Sequence, residues 1–142
     1  IRDSLRTSPT AQLWEMERLR TAGGVPVILE HRYVVHARSP RLTKAQAEGS
    51  LYQAWTRTHG LKIESASEVI RAVLLSSSEA RCLQTPPKSP AFEIEAVGFL
   101  ESGDPLWWER TLYRGDQYEF HSRLGPVQSA TPACGRLRPS SK

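Results

Sequence analysis

The chain is poor in everything that metal or thiol chemistry requires. Among 142 residues there are two cysteines, one methionine and four histidines. Cys82 and Cys134 lack the paired spacing of a metal knuckle and are too few for a disulfide framework, which points to a reducing compartment. His31, His36, His59 and His121 fall on separate elements with no HExxH beside them, so no metal and no cofactor is expected. No apolar run approaches the roughly 20 residues of a membrane-spanning helix, and no signal-peptide pattern opens the chain. The expectation is a cytoplasmic protein with no membrane partner. Without a secretory feature, Arg114-Gly115-Asp116 reads as a turn and not as an adhesion motif. The net charge of +4 invites a nucleic-acid reading, but much of it sits near the two ends, on Arg2, Arg6, Arg123, Arg136, Arg138 and Lys142. A dense Lys/Arg stripe, a helix-turn-helix, a zinc finger and an RNP motif are all missing, so direct DNA reading by these residues is not expected. The chain begins with Ile1, which leads us to expect further residues before it in the natural protein.

What is present is enough for one domain with a core: 39% apolar residues in a chain of this length. The stretch Trp14 to Val35 organises the rest. It reads as two extended runs, Trp14 to Arg20 and Val25 to Val35, joined at Gly23-Gly24. Alternation places Trp14, Met16, Arg18 and Arg20 on one face of the first run, and Ile28, Glu30, Arg32 and Val34 together on the second. A hairpin can therefore set Glu30 opposite the two arginines, either as an anion clamp with its counter-group or as an ion-pair ladder on a wet face.

Residues 1 to 12 show little periodicity and read as a loosely held lead-in or a short helix interrupted at Pro9. After a loop containing Pro40, Thr43 and Gln46 form a capping-box signature for a short helix ending at Glu48. Ser50 can cap a helix from Leu51 to Thr58 that Gly60 closes, and its first-turn amides favour an anion if they face a pocket. Leu61 to Leu75 alternates as a long strand whose apolar end calls for cover on both faces, with a helix as the competing reading. A short helix through SSEARCL buries Ala80 and Leu83, with Cys82 as a small hydrophobe, and stops before Pro86-Pro87. Phe92 to Leu100 and Leu106 to Leu112 form a second hairpin, turned at Ser102-Gly103-Asp104 and entered at Pro105. Trp107, Glu109, Thr111 and Tyr113 share a face of its second strand. Tyr118 to Leu124 is expected as a last strand. The domain boundaries that follow are 1–12 for the lead-in, 13–125 for the folded domain and 126–142 for a flexible tail rich in Pro, Ser and Gly.

No nucleophile with an evident base and no metal shell emerges, so no catalytic residue is assigned. A binding pocket asks for less, namely a few convergent donors, an acceptor and aromatic walls. Arg18, Arg20, Glu30, Ser50, Tyr52, Trp107, Glu109 and Tyr113 supply that inventory.

Four separated motifs then occur in one order: RLR-x(5)-P-x(3)-E at Arg18 to Glu30, SLY after a glycine at Ser50 to Tyr52, the long strand after the helix-closing Gly60, and P-x(4)-R-x-LYRGD-x-Y-x-F from Pro105 to Phe120. In this the stretch from Glu17 to Leu124 resembles the UTRA effector domain of GntR-type bacterial repressors, HutC subfamily. The resemblance implies an α+β, chorismate lyase-like fold: an antiparallel β-sheet flanked by short helices, following a winged helix-turn-helix. That DNA-binding half, and the usual first strand of the effector domain, are not recognisable in this chain. In members that sense phosphosugars, the arginines of RLR and the serine of SLY hold the anion, which implies that role for Arg18, Arg20 and Ser50. The resemblance likewise assigns Glu30, Tyr52 and Tyr113 to the pocket. Where relatives carry PVEY this chain has PLWW, so Trp107 stands in place of an acidic contact and Glu109 on the same face can compensate. A further phosphate contact in relatives comes from a loop upstream of this chain.

The leading expectation is a non-catalytic module that binds a small anionic effector, carrying phosphate or carboxylate, and forms a homodimer, with DNA contacted through a domain absent from this chain. A small lyase acting on a carboxylated substrate, with Glu30 as acid, is the enzymatic alternative. A pure interaction module, with the aromatics as core or interface, is the third. The dimer expectation rests on the need of two DNA-binding heads for fixed spacing and on LWWERTL, apolar on both faces and in want of a helix or a partner to cover it.

Overall fold

Alternating side chains and the Gly23-Gly24 turn, both glycines at positive φ, dictate an antiparallel hairpin. The computed structural model, which describes residues 1–122, forms it from β1 (Leu13–Ala22) and β2 (Val25–Val35). The second hairpin, β4 (Pro90–Leu100) and β5 (Pro105–Arg114), docks beside it, and the long β3 (Ile63–Leu74) completes one antiparallel sheet of order β1-β2-β5-β4-β3. Consecutive hairpins thus place β5, the most buried strand, at the centre.

The register aligns side chains in rows across one face of the sheet. One row runs Trp14, Val34, Trp107, Gly98; the next Met16, Arg32, Glu109, Ala96; the next Arg18, Glu30, Thr111, Ile94; and the last Arg20, Ile28, Tyr113, Phe92. The first row is roofed by α1 (Lys44–Glu48) and α2 (Leu51–Gln53), whose chain continues as a π-helical turn, Ala54–Thr58. Leu42, Leu51 and Trp55 pack there with Val34 and Trp107. The opposite face is covered at one end by α3 (Ser77–Cys82), where Ala80 and Leu83 meet Leu112 and Ala91, and at the other by Leu5 against Val35 and Trp108.

The short helices start where their caps dictate. The Thr43 and Gln46 capping box is formed, Ser50 Oγ accepts the Gln53 amide at 3.3 Å, and a second capping box joins Ser76 and Glu79. The helix expected from Leu51 to Thr58 is α-helical for three residues only. Thereafter the His59 amide reaches the Ala54 carbonyl, five residues back, and Trp55 sits buried within this widened turn.

Four expectations are corrected. The apolar end of β3 is not covered on both faces, because β3 is an edge strand with most of its side chains in solvent. Cys82 is exposed and buries nothing. Residues 1–12 are tied down, with Leu5 fully buried and Arg2 donating to the Ser8 and Ala11 carbonyls. Residues 118–122 form no strand: β5 already has β2 and β4 as neighbours, and the Tyr118 amide turns back to the Arg114 carbonyl at 3.1 Å. Tyr118 and Phe120 instead lie edge-on against Tyr113, and Phe120 also against Phe92. The rest of that expected strand, and the expected tail, lie outside the described residues. The strand LWWERTL finds its cover within the chain, from the π-turn roof on one face and from α3 and Leu5 on the other.

Arg114-Gly115-Asp116 is a turn held by its own charges. Arg114 grips Asp116 through two bonds, at 3.0 and 2.6 Å, and donates to the carbonyls of Pro26 and Leu83, so one guanidinium joins the ends of β5, α3 and the start of β2. The bonds from Arg114 bring the Asp116 carboxyl down from 3.8 to about 2. A depressed carboxylate contributes stability that is complete above its unfolded value and is lost as pH falls toward the folded one. Urea titrations between pH 5 and pH 2 are expected to show this loss, and Asp116→Asn to flatten it while lowering stability at neutral pH.

Candidate functional site

A carboxylate is buried only where cations and donors surround it. Glu30 is 4% exposed in the middle of the sheet, and the rows explain how it survives there. Directly across from it on β1, Arg18 donates Nη2 to Glu30 Oε1. Two residues further along β2 and on the same face, Arg32 sets Nε 2.9 Å from that oxygen, an ion-pair approach without hydrogen-bond alignment. Arg20 Nε stands 3.6 Å from Oε2. Arg32 also pairs with Glu109 across on β5. Three guanidinium groups thus converge on two carboxylates, leaving one positive charge in excess.

The three cations differ in how far they are committed. Arg18 is nearly buried, and its Nη1 donates to the carbonyls of Ala47 and Gly49 at 3.0 and 3.2 Å, which ends α1 and fixes the approach to Ser50. Arg32 lies beneath the aromatics, its guanidinium carbon 5.8 Å from the centre of Trp55 and 5.5 Å from that of Trp107. Burial pulls Arg32 down to about 10, Glu30 opposes this, and neighbouring Arg18 and Arg20 add to it. Arg20 is the free member: its side chain is 46% exposed. A small cleft of about 230 Å3, bordered by Glu17 and Glu48, opens beside Arg18 and Arg20.

Of the residues singled out from sequence, Arg18, Arg20, Glu30, Glu109 and Tyr113 are brought together on one face. Tyr113 is partly buried and its phenol is pushed up, by burial first and then by Glu30, against the pull of Arg20. Ser50 joins through Arg18 and Gly49, with its Oγ used as the α2 cap and α2 too short for a strong helix dipole. Tyr52 is largely exposed, and its hydroxyl has no hydrogen-bond partner among the described residues. Trp107 is a buried floor and not an open wall. It stacks on Trp55 at 5.0 Å, and its indole lies so close over Gly98 that no Cβ fits there. Sequence reasoning missed Arg32, although its position two residues beyond Glu30 on the same face was a usable signal.

These placements make a stability prediction for each of two buried residues. Glu30→Ala leaves Arg18 and Arg32 without their counter-charge and is expected to lower unfolding free energy by about 3–5 kcal/mol in denaturant titrations. Trp107→Ala opens a cavity under Trp55 and is expected to cost about 3–5 kcal/mol, read as a drop in melting temperature. A variant of either that melts like the parent chain refutes its burial role.

The chain's sequence and fold match known proteins over most of its length. The UTRA domain family model matches residues 1–119. The HTH-type transcriptional repressor PhnF of Mycolicibacterium smegmatis is 30% identical over 121 residues, 84% of this chain and 49% of that protein. Among solved structures, the possible transcriptional regulator YydK of Bacillus subtilis superposes with a TM-score of 0.83 at 20% identity, covering 87% of this chain and 55% of the other. The effector binding domain of the B. subtilis trehalose repressor TreR superposes at 0.75 with 26% identity, covering 90% and 89%. The chain spans about half the length of the curated relatives it matches. Its five-stranded antiparallel sheet with few short helices is the α+β, chorismate lyase-like fold of these neighbours. By this match the chain belongs to the UTRA domain family, the effector-binding domains of GntR-family transcriptional regulators.

Proposed function

We propose that this domain senses a small anionic metabolite, carrying phosphate or carboxylate, for a homodimeric cytoplasmic regulator that contacts DNA through another domain. The observation that carries this reading is the asymmetry among the three arginines. Arg18 and Arg32 are consumed in holding Glu30 and Glu109, whereas the Arg20 side chain stands half exposed and, among the described residues, has only its 3.6 Å approach to Glu30. Arginine presents a planar fork suited to two oxygens of one anion. The Arg20 guanidinium supplies the attraction at a cleft that Glu17 and Glu48 also border, and Tyr113 lies in the same cross-sheet row as Arg20. The cleft beside Arg18 and Arg20 is below the roughly 300 Å3 of a typical ligand pocket, which suits a compact anionic end lodged there with the remainder lying across the sheet face.

A binding role fits better than proton transfer. Glu30 Oε1 already faces two guanidinium groups, and a general acid or base needs an open path to the reacting proton. The likeness to the effector binding domain of a sugar repressor supports the same choice.

Calorimetry against phosphorylated sugars, organic acids and amino-acid derivatives tests this reading. At least one anion is expected to bind, and Arg20→Ala to weaken it by about 1.5–3 kcal/mol with an unchanged melting temperature, since a half-exposed arginine carries little of the fold. Failure of every anion to bind, or indifference of a bound anion to Arg20→Ala, refutes it.

A further inference from the structure

The gap between β1 and α1 holds two clefts set end to end. The cleft beside Arg18 and Arg20 is bordered on the helix side by Glu48. One residue back along α1, Ala47 borders a second cleft of about 250 Å3, together with Trp14 and Met16 of β1 and Leu42 ahead of the helix. Trp14, Met16 and Ala47 all pack on the core cluster that contains Leu42, so this second space is an inlet into the main core and its walls are chiefly apolar. Met16, the chain's only methionine, gives it an adaptable wall, and Lys44 stands at its rim with the amine in solvent. Protein interiors are packed close to crystal density, and dry space on this scale takes up small apolar guests. Arg18 lies between the two clefts. It is two residues from Met16 on the same face of β1, about 7 Å at 3.4 Å per residue, and it donates to the Ala47 carbonyl.

We infer that the effector is a monocarboxylate with an apolar tail, its charged end on Arg20 and its tail in the cleft of Trp14, Met16, Leu42 and Ala47. The inference rests on the anion reading above and deepens it by naming the ligand class. Charge decides for carboxylate over phosphate. Arg18 and Arg32 are matched by Glu30 and Glu109, so Arg20 is the cation of the three left to meet the ligand. Glu17 and Glu48 border the same cleft, and a phosphate monoester at neutral pH brings roughly two negative charges against them where a carboxylate brings one. Shape and polarity decide for the tail. Neither cleft alone reaches the roughly 300 Å3 of a typical ligand pocket, whereas the two together lie within its range. Trp14 spends its indole N–H on the Ser39 carbonyl at 3.0 Å, so the inner wall offers a hydroxylated ring no free side-chain donor, while a hydrocarbon chain needs none.

The test titrates the isotope-labelled chain with acetate, butyrate, hexanoate and octanoate, and with hexyl phosphate, following backbone amides by NMR so that weak binding is also read. The Arg20 amide is expected to shift with every carboxylate, and those of Met16 and Ala47 from butyrate upward. Affinity is expected to rise about fourfold for each methylene until the cleft is filled, with hexanoate tighter than hexyl phosphate. Ala47→Met and Met16→Phe fill the cleft from its two walls. In each, with circular dichroism of the parent chain, octanoate is expected to fall toward the affinity of acetate. Carboxylates that bind at Arg20 with an affinity independent of chain length, or hexyl phosphate that binds tighter than hexanoate, overturn the inference while the anion reading stands. A length dependence that survives in both filled variants overturns it in the same way. If no carboxylate binds, the inference falls, and the calorimetric panel decides the anion reading separately.

Discussion

A single buried carboxylate, Glu30, constrains most of this domain. An ionised side chain at the centre of a sheet is tolerated only with cations at hand, and the hairpin register delivers them. Arg18 comes from the strand across and Arg32 from two residues along, on the same face. Each of these then needs further partners of its own. Arg18 takes the carbonyls of Ala47 and Gly49, which sets where α1 ends and the Ser50 cap begins. Arg32 takes Glu109, which ties the first hairpin to the second. The charge network therefore does structural work in three directions and leaves one cation, Arg20, for solvent or ligand.

Beside that network the aromatic residues stack in a defined order. Arg32 lies against Trp107, Trp107 stacks on Trp55, and Gly98 lets the Trp107 ring approach the β4 backbone. A desolvated guanidinium against indole faces is favourable, and burial strengthens every charge pair below it. The π turn carrying Trp55 is thus joined mechanically to the ion pairs around Glu30. Any ligand that draws on Arg20 or Arg18 acts on a tightly coupled set of side chains and not on an isolated pocket.

Much of the architecture was legible because it follows from local rules. The period of two along Trp14 to Val35, the Gly23-Gly24 turn, Pro105 at a strand entrance and the Thr43 and Gln46 capping box each specify their element without tertiary help. The pairing of Arg18 with Glu30 was legible for the same reason, since hairpin register follows from the turn. Long-range context was harder to read. Alternation puts Trp107 and Glu109 on one face but does not tell that Trp55 folds over the first and that Arg32 claims the second. The apolar end of β3 looks like a buried strand in sequence, and only the strand order shows it to be an edge. Tyr118 to Phe120 has strand-like composition, yet both sides of β5 are taken, so those aromatics pack on Tyr113 instead.

The central claim is that Arg20, backed by Arg18, receives an anion on a face held in shape by Glu30. The most direct measurement is a crystal structure of the chain purified from cells grown in rich medium, then soaked in a bound anion from the calorimetric panel. The account predicts density for a phosphate or carboxylate within hydrogen-bond distance of the Arg20 guanidinium, with Glu30 still paired to Arg18 and Arg32. Density elsewhere on the domain, with Arg20 left in solvent at saturating ligand, would contradict it.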